Sequence, residues 1–413
     1  MTQAPALPDA LRAQRPFVYF WFARVFTAAG YQMQSVAIAW QIYELTHSAF
    51  DLGLVGLMQF IPRLLLMPVA GHVADHYERR RVVFGSQAAQ AIGLVVLLLA
   101  SAGGQVSREL IFLLALITGA ARSFEMPATQ ALLPSLVPPS LLSRAIAAGA
   151  SAMQAATILA PALGGVLYAL GATTVYAITT ALFVAAASLT LRIRPLTVNT
   201  RKADMSPLTA FLEGLRFIHA RRAILGAISL DLFAVLLGGA TALLPVIAHE
   251  VLDSGPLGLG LLRSAPAAGA LAMSLWLAHH PLRQGVGRLM FGAVAVFGLA
   301  TVVFGFSNHI ALSLVALTVL GAADMVSVVI RGSFVQLHTP DEMRGRVSAV
   351  NSIFIGASNQ LGEFESGITA AWLGVVPAVV LGGIGTVLVA ALWMRMFPEL
   401  AKANSLHPEE KPA

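Results

Sequence analysis

The sequence predicts an all-α membrane protein with twelve transmembrane helices, arranged as two similar bundles of six. The 413 residues are 57% hydrophobic and only 11% charged, which is far too apolar for a soluble chain of this length. The apolar residues form continuous runs of about 20, the length that a helix needs to cross the hydrocarbon core. The longest polar interval, residues 192–222, has six such runs on each side.

Helices are favoured over a closed barrel because the runs are continuous, whereas barrel strands alternate polar and apolar residues over about ten positions. A polar segment precedes the first run, which itself contains Arg24, so we expect this run to be a retained helix and not a cleaved secretory signal. The predicted spans, numbered one to twelve, are residues 17–43, 52–70, 82–102, 110–133, 146–170, 173–191, 223–248, 257–278, 289–306, 310–335, 347–373 and 375–396.

The basic residues predict the orientation of the chain. Placing the N-terminus inside collects nearly all Arg and Lys on the inner side, and leaves Arg108 outside with Arg263 as one further candidate. Both termini are therefore expected in the cytoplasm. The basic residues flank apolar helices instead of forming a stripe, so the net charge of +6 does not indicate a nucleic-acid partner.

The polar interval predicts a linker between two halves. Residues 206–219 within it have helical spacing of Leu and Phe opposite Glu213 and Arg216, which favours an amphipathic helix on the inner membrane surface. The predicted organisation is an N-terminal bundle at 1–191, the linker at 192–222, a C-terminal bundle at 223–397 and a cytoplasmic tail at 398–413.

The two halves carry a short repeat. PPSLLSRAIA at 138–147 matches PDEMRGRVSA at 340–349, with Arg144 aligned to Arg346. A repeat of the same membrane orientation is typical of two parallel six-helix bundles, with substrate bound between them near the membrane midplane.

The loop between spans two and three has the most specific pattern, GHVADHYERRRV at 71–82. Gly71 permits a tight helix exit, Asp75 can face the positive N-terminus of another helix, and an arginine cluster can anchor at anionic headgroups. With this loop the chain resembles the major facilitator superfamily, whose pattern is G-x-x-x-D-x-x-x-R-[KR]. Asp75, Arg79 and Arg80 match, while Glu78 replaces the usual Gly, as in the branch of enterobactin exporters and macrolide efflux proteins.

The resemblance extends along nearly the whole chain, through 126–137, 160–167, 230–246 and 344–363. The segment APALGGVL is similar to the antiporter signature G-P-x-x-G-G, matching it at Pro161, Gly164 and Gly165. Such a segment either loosens the helix so that it can bend, or packs closely against a neighbour through its small residues. The resemblance implies the major facilitator fold, in which helices one, four, seven and ten line a cavity and three, six, nine and twelve face lipid.

Charged residues within the spans mark a transport path, because each is costly unless it meets water or a partner. Spans three, six, nine and twelve contain none. The intramembrane charges are Arg24, Arg63, Arg122, Glu125, Asp231, Asp324, Arg331, Glu363 and Glu365.

Four of these carboxylates are candidates for proton coupling. Asp231 comes first because its own span has no basic residue, so it either finds a partner on another helix or keeps a proton. Arg122 and Glu125 are three residues apart and Asp324 and Arg331 seven apart, so each pair shares a helix face and forms either an ion pair or a site. Glu363 lies towards the outer end of its span, where a carboxylate can also simply reach water. The coupling candidates are Asp231, Glu125, Asp324 and Glu363.

The substrate-cavity candidates are cationic and amide side chains within the spans. Interhelical hydrogen bonding is the alternative role for each amide, and anchoring or gating is the alternative role for Arg24. The candidates are Arg24, Gln32, Gln34, Arg122, Arg331, Asn359 and Gln360.

The sequence lacks the motifs that characterise several other classes of membrane protein. The sequence has no G-x-x-x-x-G-K-[ST] loop for ATP, no H-E-x-x-H zinc motif, no intramembrane lysine for retinal and no cysteine. We therefore expect no enzyme, metal or organic cofactor, and a secondary transporter that uses protons as the coupling ion. The resemblance implies a monomer in the bacterial inner membrane that exports amphipathic small molecules; an importer, a lysolipid transporter and a non-transporting receptor remain alternatives.

Overall fold

The computed structural model describes residues 11–194, 207–280 and 284–405, apart from a few side chains within helices, among them that of Asp75. All regular secondary structure in this part is helical, as the sequence predicts. The first half contains the helices α1 (Arg15–Thr46), α2 (Ala49–His76), α3 (Arg79–Ala102), α4 (Arg108–Leu132), α5 (Leu142–Tyr168) and α6 (Ala172–Arg192).

The second half begins with a short helix and continues with longer ones. These helices are α7 (Pro207–Ala220), α8 (Arg222–Leu237), α9 (Gly255–His279), α10 (Val286–Gly305), α11 (Ile310–Leu337), α12 (Asp341–Leu373) and α13 (Val375–Met396).

Ten helical segments in the described part are long and apolar enough to cross a membrane, so this is a multi-pass membrane protein. The helices α1 and α12, with 32 and 33 residues, are also long enough but fall outside this set. Their polar side chains, such as Gln32 in α1 and Asn359 in α12, lower the mean hydropathy. The number twelve therefore remains a prediction.

The chain divides into two compact units. Unit 1 comprises Met1–Thr46 and Met58–Asp204, and unit 2 comprises His47–Leu57 and Met205–Ala413. In unit 1, α1 packs on α5 and α6, and α3 packs on α4 and α6. In unit 2, α8 packs on α12 and α13, and α10 packs on α11 and α13. The same order of helix pairings thus occurs in each unit.

Span seven, expected over 223–248, is present as one candidate span over Arg222–Val251, but it is not one regular helix. The helix α8 ends at Leu237, and the chain continues through a 3-10 turn, one α-helical turn and a π-helical turn ending at Val251. Pro245 has no N–H to donate to a continuing helix. A Cβ at Gly239 would lie 2.6 Å from the carbonyl oxygen of Gly362, so the break is where α12 comes closest.

The amphipathic helix is present as α7, and part of its apolar face is covered by protein. Ile218 is buried in a cluster with Val335 of α11 and Val347 of α12, and Phe211 packs against the same cluster. Apolar burial against these helices fixes α7 to unit 2. Leu212 of α7 is still 44% exposed, so the location of this helix at the inner membrane surface stays a prediction.

Candidate functional site

A cavity of about 320 Å³ lies within unit 1 and is bordered by residues from α1, α3, α4, α5 and α6. Its lining is mixed, with apolar side chains beside three charged residues, three glutamines and four threonines. Four residues predicted from the sequence meet here: Arg24 and Gln32 from α1, and Arg122 and Glu125 from α4.

Glu125 is held by two amides of α3. Gln90 Nε2 donates to one carboxylate oxygen at 3.0 Å, and Gln87 Nε2 donates to the other at 3.4 Å. Gln87 Oε1 in turn accepts from the hydroxyl of Thr190 in α6 at 2.8 Å. The Glu125 side chain is 9% exposed at the cavity edge. The network fixes its position, and the carboxylate lines the cavity.

Arg122 does not form the ion pair with Glu125 that the sequence spacing allowed. In the described part its guanidinium lies over the ring of Tyr31, 3.6 Å from the ring centroid. Tyr31 donates its hydroxyl to Gln59 Oε1 at 3.1 Å. The planar guanidinium of Arg122 stacks on the face of the Tyr31 ring, which is a favourable cation–π geometry. Glu125 is thereby left to the amides of α3.

Gln34 is the candidate of α1 that does not reach this cavity. Its side chain is buried elsewhere in unit 1, and its Oε1 has no hydrogen-bond partner within the described residues. Positions two residues apart on a helix, such as Gln32 and Gln34, point to nearly opposite sides. Gln34 therefore does not line this cavity, and its role as a substrate-cavity residue stays a prediction.

The 71–82 segment differs from the predicted loop. The helix α2 passes through Gly71 and ends at His76, and the backbone N–H of Tyr77 still donates to Val73 at 2.9 Å. Gly71 is therefore not the helix exit. The side chain of Asp75 lies outside the described residues, and its role stays a prediction.

The arginines of this segment bind helix ends. Arg79 Nη1 donates to the carbonyl of Ala131 in the last turn of α4 at 3.0 Å. Arg80 Nη1 donates to the carbonyls of Leu191 and Ile193, at 3.3 and 3.0 Å, where α6 ends. The last carbonyls of a helix lack internal donors and carry partial negative charge, so cations are favoured there. Both arginines thus tie α3 to its neighbours in unit 1.

The antiporter-like segment packs α5 against α1. Pro161 and Gly165 lie inside a continuous α5, and a Cβ at Gly164 would lie only 3.0 Å from the Cα of Met33. Of the two interpretations left open by the sequence, close packing through a small residue is the one visible at Gly164.

In unit 2, Asp231 of α8 and Arg331 of α11 form an ion pair between side chains that are almost completely buried. Asp231 therefore finds its basic partner on another helix. Arg331 does not pair with Asp324 on its own helix, as the seven-residue spacing had allowed, and contacts the carboxylate of α8 instead.

Asp324 nevertheless lies close to this pair. It lines a small cavity of about 10 Å³ together with Asp231 and Ser327. That volume is close to the smallest that holds one water molecule. Two carboxylates, one hydroxyl and one guanidinium are thus collected where α8 meets α11.

The remaining candidates of unit 2 lie on α12. A Cβ at Gly56 would meet Glu363 Oε2 at 2.6 Å and Gln360 Oε1 at 3.6 Å, so both side chains lie against α2. Asn359 is exposed. Glu363 is half-buried, with one carboxylate oxygen close to the backbone of α2 at Gly56, and its role in proton coupling stays a prediction.

Sequence reasoning missed the polar residues of spans three and six. Gln87, Gln90 and Thr190 were not among the candidates, yet they form the network around Glu125. The signal was visible as two glutamines three residues apart in an apolar helix, which places them on one face.

Comparisons with known proteins agree with these features. The chain matches the transmembrane secretion effector family over residues 9–412. It belongs to this family of major facilitator transporters. The transporter is 26% identical to the enterobactin exporter EntS of Citrobacter koseri over 400 residues, covering 96% of this chain and 95% of that protein. It is 25% identical to EntS of Escherichia coli over 403 residues, covering 97% and 96%.

Solved structures share the fold of the transporter. A bacterial homologue of the human lysosomal transporter Spinster, in an inward-facing and unoccupied conformation, matches with a TM-score of 0.73 at 15% identity. That match covers 94% of this chain and 98% of the homologue. The nucleoside transporter NupG matches with a TM-score of 0.70 at 17% identity, covering 92% and 99%. The resemblance to the major facilitator superfamily is confirmed, and the family is one of transporters and not of enzymes.

Proposed function

We propose that this transporter exports amphipathic small molecules, siderophore-like or drug-like, in exchange for protons. In this proposal it crosses the bacterial inner membrane twelve times, as two six-helix bundles that alternate access, with both termini in the cytoplasm. It functions as a monomer, and the proton is its coupling ion.

The observation that carries the coupling proposal is the Asp231–Arg331 pair. A carboxylate and a guanidinium neutralise each other in a setting where an isolated charge is costly. Protonation of Asp231 would remove that neutralisation, and Arg331 could then form a contact with Asp324 or with water. Such an exchange of partners gives α8 and α11 two arrangements, which is what coupling to a conformational cycle requires.

The cavity of unit 1 supports an amphipathic cargo. Its volume of about 320 Å³ lies at the lower end of the range of small-molecule sites. Apolar walls suit a hydrophobic cargo body, while Arg24 and Arg122 suit acidic or polar groups on it. Glu125 stands in the same wall and offers a second protonatable group.

The direction of transport is inferred from relatives. The curated relatives described above are named exporters and match almost the whole chain. An exporter driven by protons must release cargo outside while protons enter.

Flux in proteoliposomes tests the proposal. The purified full-length protein is reconstituted and loaded with a fluorescent amphipathic dye, and a pH gradient is imposed in either direction. We expect dye movement against the direction of proton flow, and loss of this movement when an ionophore collapses the gradient. Co-directional movement would identify a proton-driven importer, and no solute movement with any tested cargo would favour a receptor; either result would contradict proton-coupled export.

A further inference from the structure

A long apolar groove of about 1260 Å³ runs along α1 and α5 in unit 1, on surfaces other than those of the Glu125 cavity. Alanines of α5, such as Ala148 and Ala155, form one wall, and Trp21 and Phe22 of α1 contribute to the other. Trp21 Nε1 donates to the carbonyl of Ala148 at 3.0 Å and holds the two helices together. Apolar side chains line the groove along most of its length, and the groove is open at the protein surface.

One end of the groove is basic. Arg12 and Arg144 line it, and both precede or begin the helices that form the walls. Because Trp21 meets Ala148 and Met33 meets Gly164, α1 and α5 run in the same direction, and the two arginines share one end.

The other end of the groove is apolar. Leu159 and Leu163 line it and are 60% and 49% exposed. The distance along α5 from Arg144 to Leu163 is about 28 Å at 1.5 Å per residue. The groove is therefore long enough for a phosphate headgroup followed by one extended acyl chain.

Arg144 is half-buried at the basic end, and one of its donor nitrogens has no partner among the described residues. Nη1 of Arg144 is buried and makes no hydrogen bond to any described residue. Burying a cationic donor without a partner is costly, so an anion is favoured at this point.

The internal repeat shows what such an arginine binds. Arg346 occupies the repeat position of Arg144 at the start of α12, and its Nη1 contacts Glu213 Oε2 of α7 at 2.5 Å. Unit 2 thus supplies a carboxylate to its arginine. In the described part of unit 1, Arg144 has no equivalent acidic contact.

We propose that the groove binds an anionic phospholipid of the surrounding bilayer. Its phosphate contacts Arg144 and Arg12, and one acyl chain lies along the alanines of α5. Planar guanidinium groups bind phosphate with two donors, and a basic end joined to an apolar channel matches a lipid headgroup and tail. This site is independent of the proposed export function, because it uses neither Glu125 nor Asp231.

Lipid binding to the purified full-length protein tests the proposal. Phosphatidylglycerol and phosphatidylcholine with identical acyl chains are added in neutral detergent, and retained lipid is counted by native mass spectrometry. We expect phosphatidylglycerol to bind about five-fold more tightly for each arginine that contacts it. Arg144→Gln should remove most of this preference, Arg144→Lys should keep part of it, and Arg395→Gln, at an exposed position at the end of α13, should leave it unchanged.

A second variant separates the tail from the headgroup. Ala155→Phe fills the groove from an exposed position and should lower retention of both lipids, with no change in the elution volume of the protein. Equal binding of the two lipids to the unaltered protein would overturn the proposal. So would full retention in Ala155→Phe, or displacement of the lipid by the transported dye at equal concentration.

Discussion

Asp231 of α8 and Arg331 of α11 are 8% and 4% exposed and form an ion pair inside unit 2. Each residue removes the cost of burying the other, so the pair is stable only while both are charged. A change in the charge of Asp231 therefore has consequences for the contact between α8 and α11. This relationship makes Asp231 the first position at which to test proton coupling.

Asp231→Asn is expected to abolish cargo movement driven by a pH gradient while leaving cargo-for-cargo exchange, because Asn cannot take up and release a proton. Both activities are measured in the same proteoliposomes. Asp341→Asn is the matched control, since its carboxylate pairs with Arg344 at an exposed position. Gradient-driven flux that persists in Asp231→Asn would remove Asp231 from the coupling mechanism.

The ion pair can also be tested by a double-mutant cycle of protein stability. Asp231→Asn and Arg331→Gln should each lower the free energy of unfolding by about 3–5 kcal/mol, because each leaves one buried charge without its partner. The double variant should be less destabilised than the sum of the two single variants. Thermal unfolding in detergent measures all four proteins, and simple additivity would argue against a direct interaction.

Glu125→Gln is expected to keep the fold and impair coupled transport. The new amide keeps its size and one acceptor oxygen for Gln90, so we expect a loss of about 1 kcal/mol in the free energy of unfolding. Transport against a pH gradient should fall at least ten-fold if Glu125 carries a proton, and a ten-fold change is about 1.4 kcal/mol. Glu109→Gln, at an exposed position at the start of α4, is the control and should behave like the unaltered protein.

Gly164→Val tests the contact between α1 and α5. A side chain at this position would meet the backbone of Met33, so we expect a loss of about 1–3 kcal/mol in the free energy of unfolding. Gly85→Val in α3 is the control, because nothing lies within 4 Å of a Cβ there. Equal melting temperatures for the two variants would contradict the prediction, because they would show that the close contact of Gly164 with α1 does not contribute to stability.

The absence of cysteine makes the topology directly testable, since one introduced cysteine gives a single labelled position. Lys402→Cys is expected to react with a membrane-impermeant maleimide only from the cytoplasmic side, and Gln105→Cys only from the outer side. Both positions are exposed. Labelling of the two cysteines from the same side would contradict the proposed orientation.

Several features could be predicted from the sequence because they depend on local pattern. Apolar runs of bilayer length give helices wherever they occur, and most helix bounds lie within a few residues of the predicted spans. The resemblance at Asp75, Arg79 and Arg80 gave the superfamily. The irregular backbone within span seven was not predicted, because Gly238, Gly239 and Pro245 lie in an apolar run and Pro161 shows that a proline can also lie inside a continuous helix.

Side-chain partners could not be predicted in the same way. Spacing on one helix allowed Arg122 to pair with Glu125, yet Arg122 stacks on Tyr31 from another helix. Spacing also allowed Arg331 to pair with Asp324, yet Arg331 pairs with Asp231. In both cases several partners lie within reach of one long side chain.

The sequence by itself determined that this protein is helical, membrane-embedded and related to major facilitator transporters, because hydrophobic length and short motifs are written in consecutive residues. Only the tertiary structure decided which charges meet. The partner of a guanidinium is set by which helix faces it and how closely small residues such as Gly164 let helices approach, and these distances arise only when the helices pack.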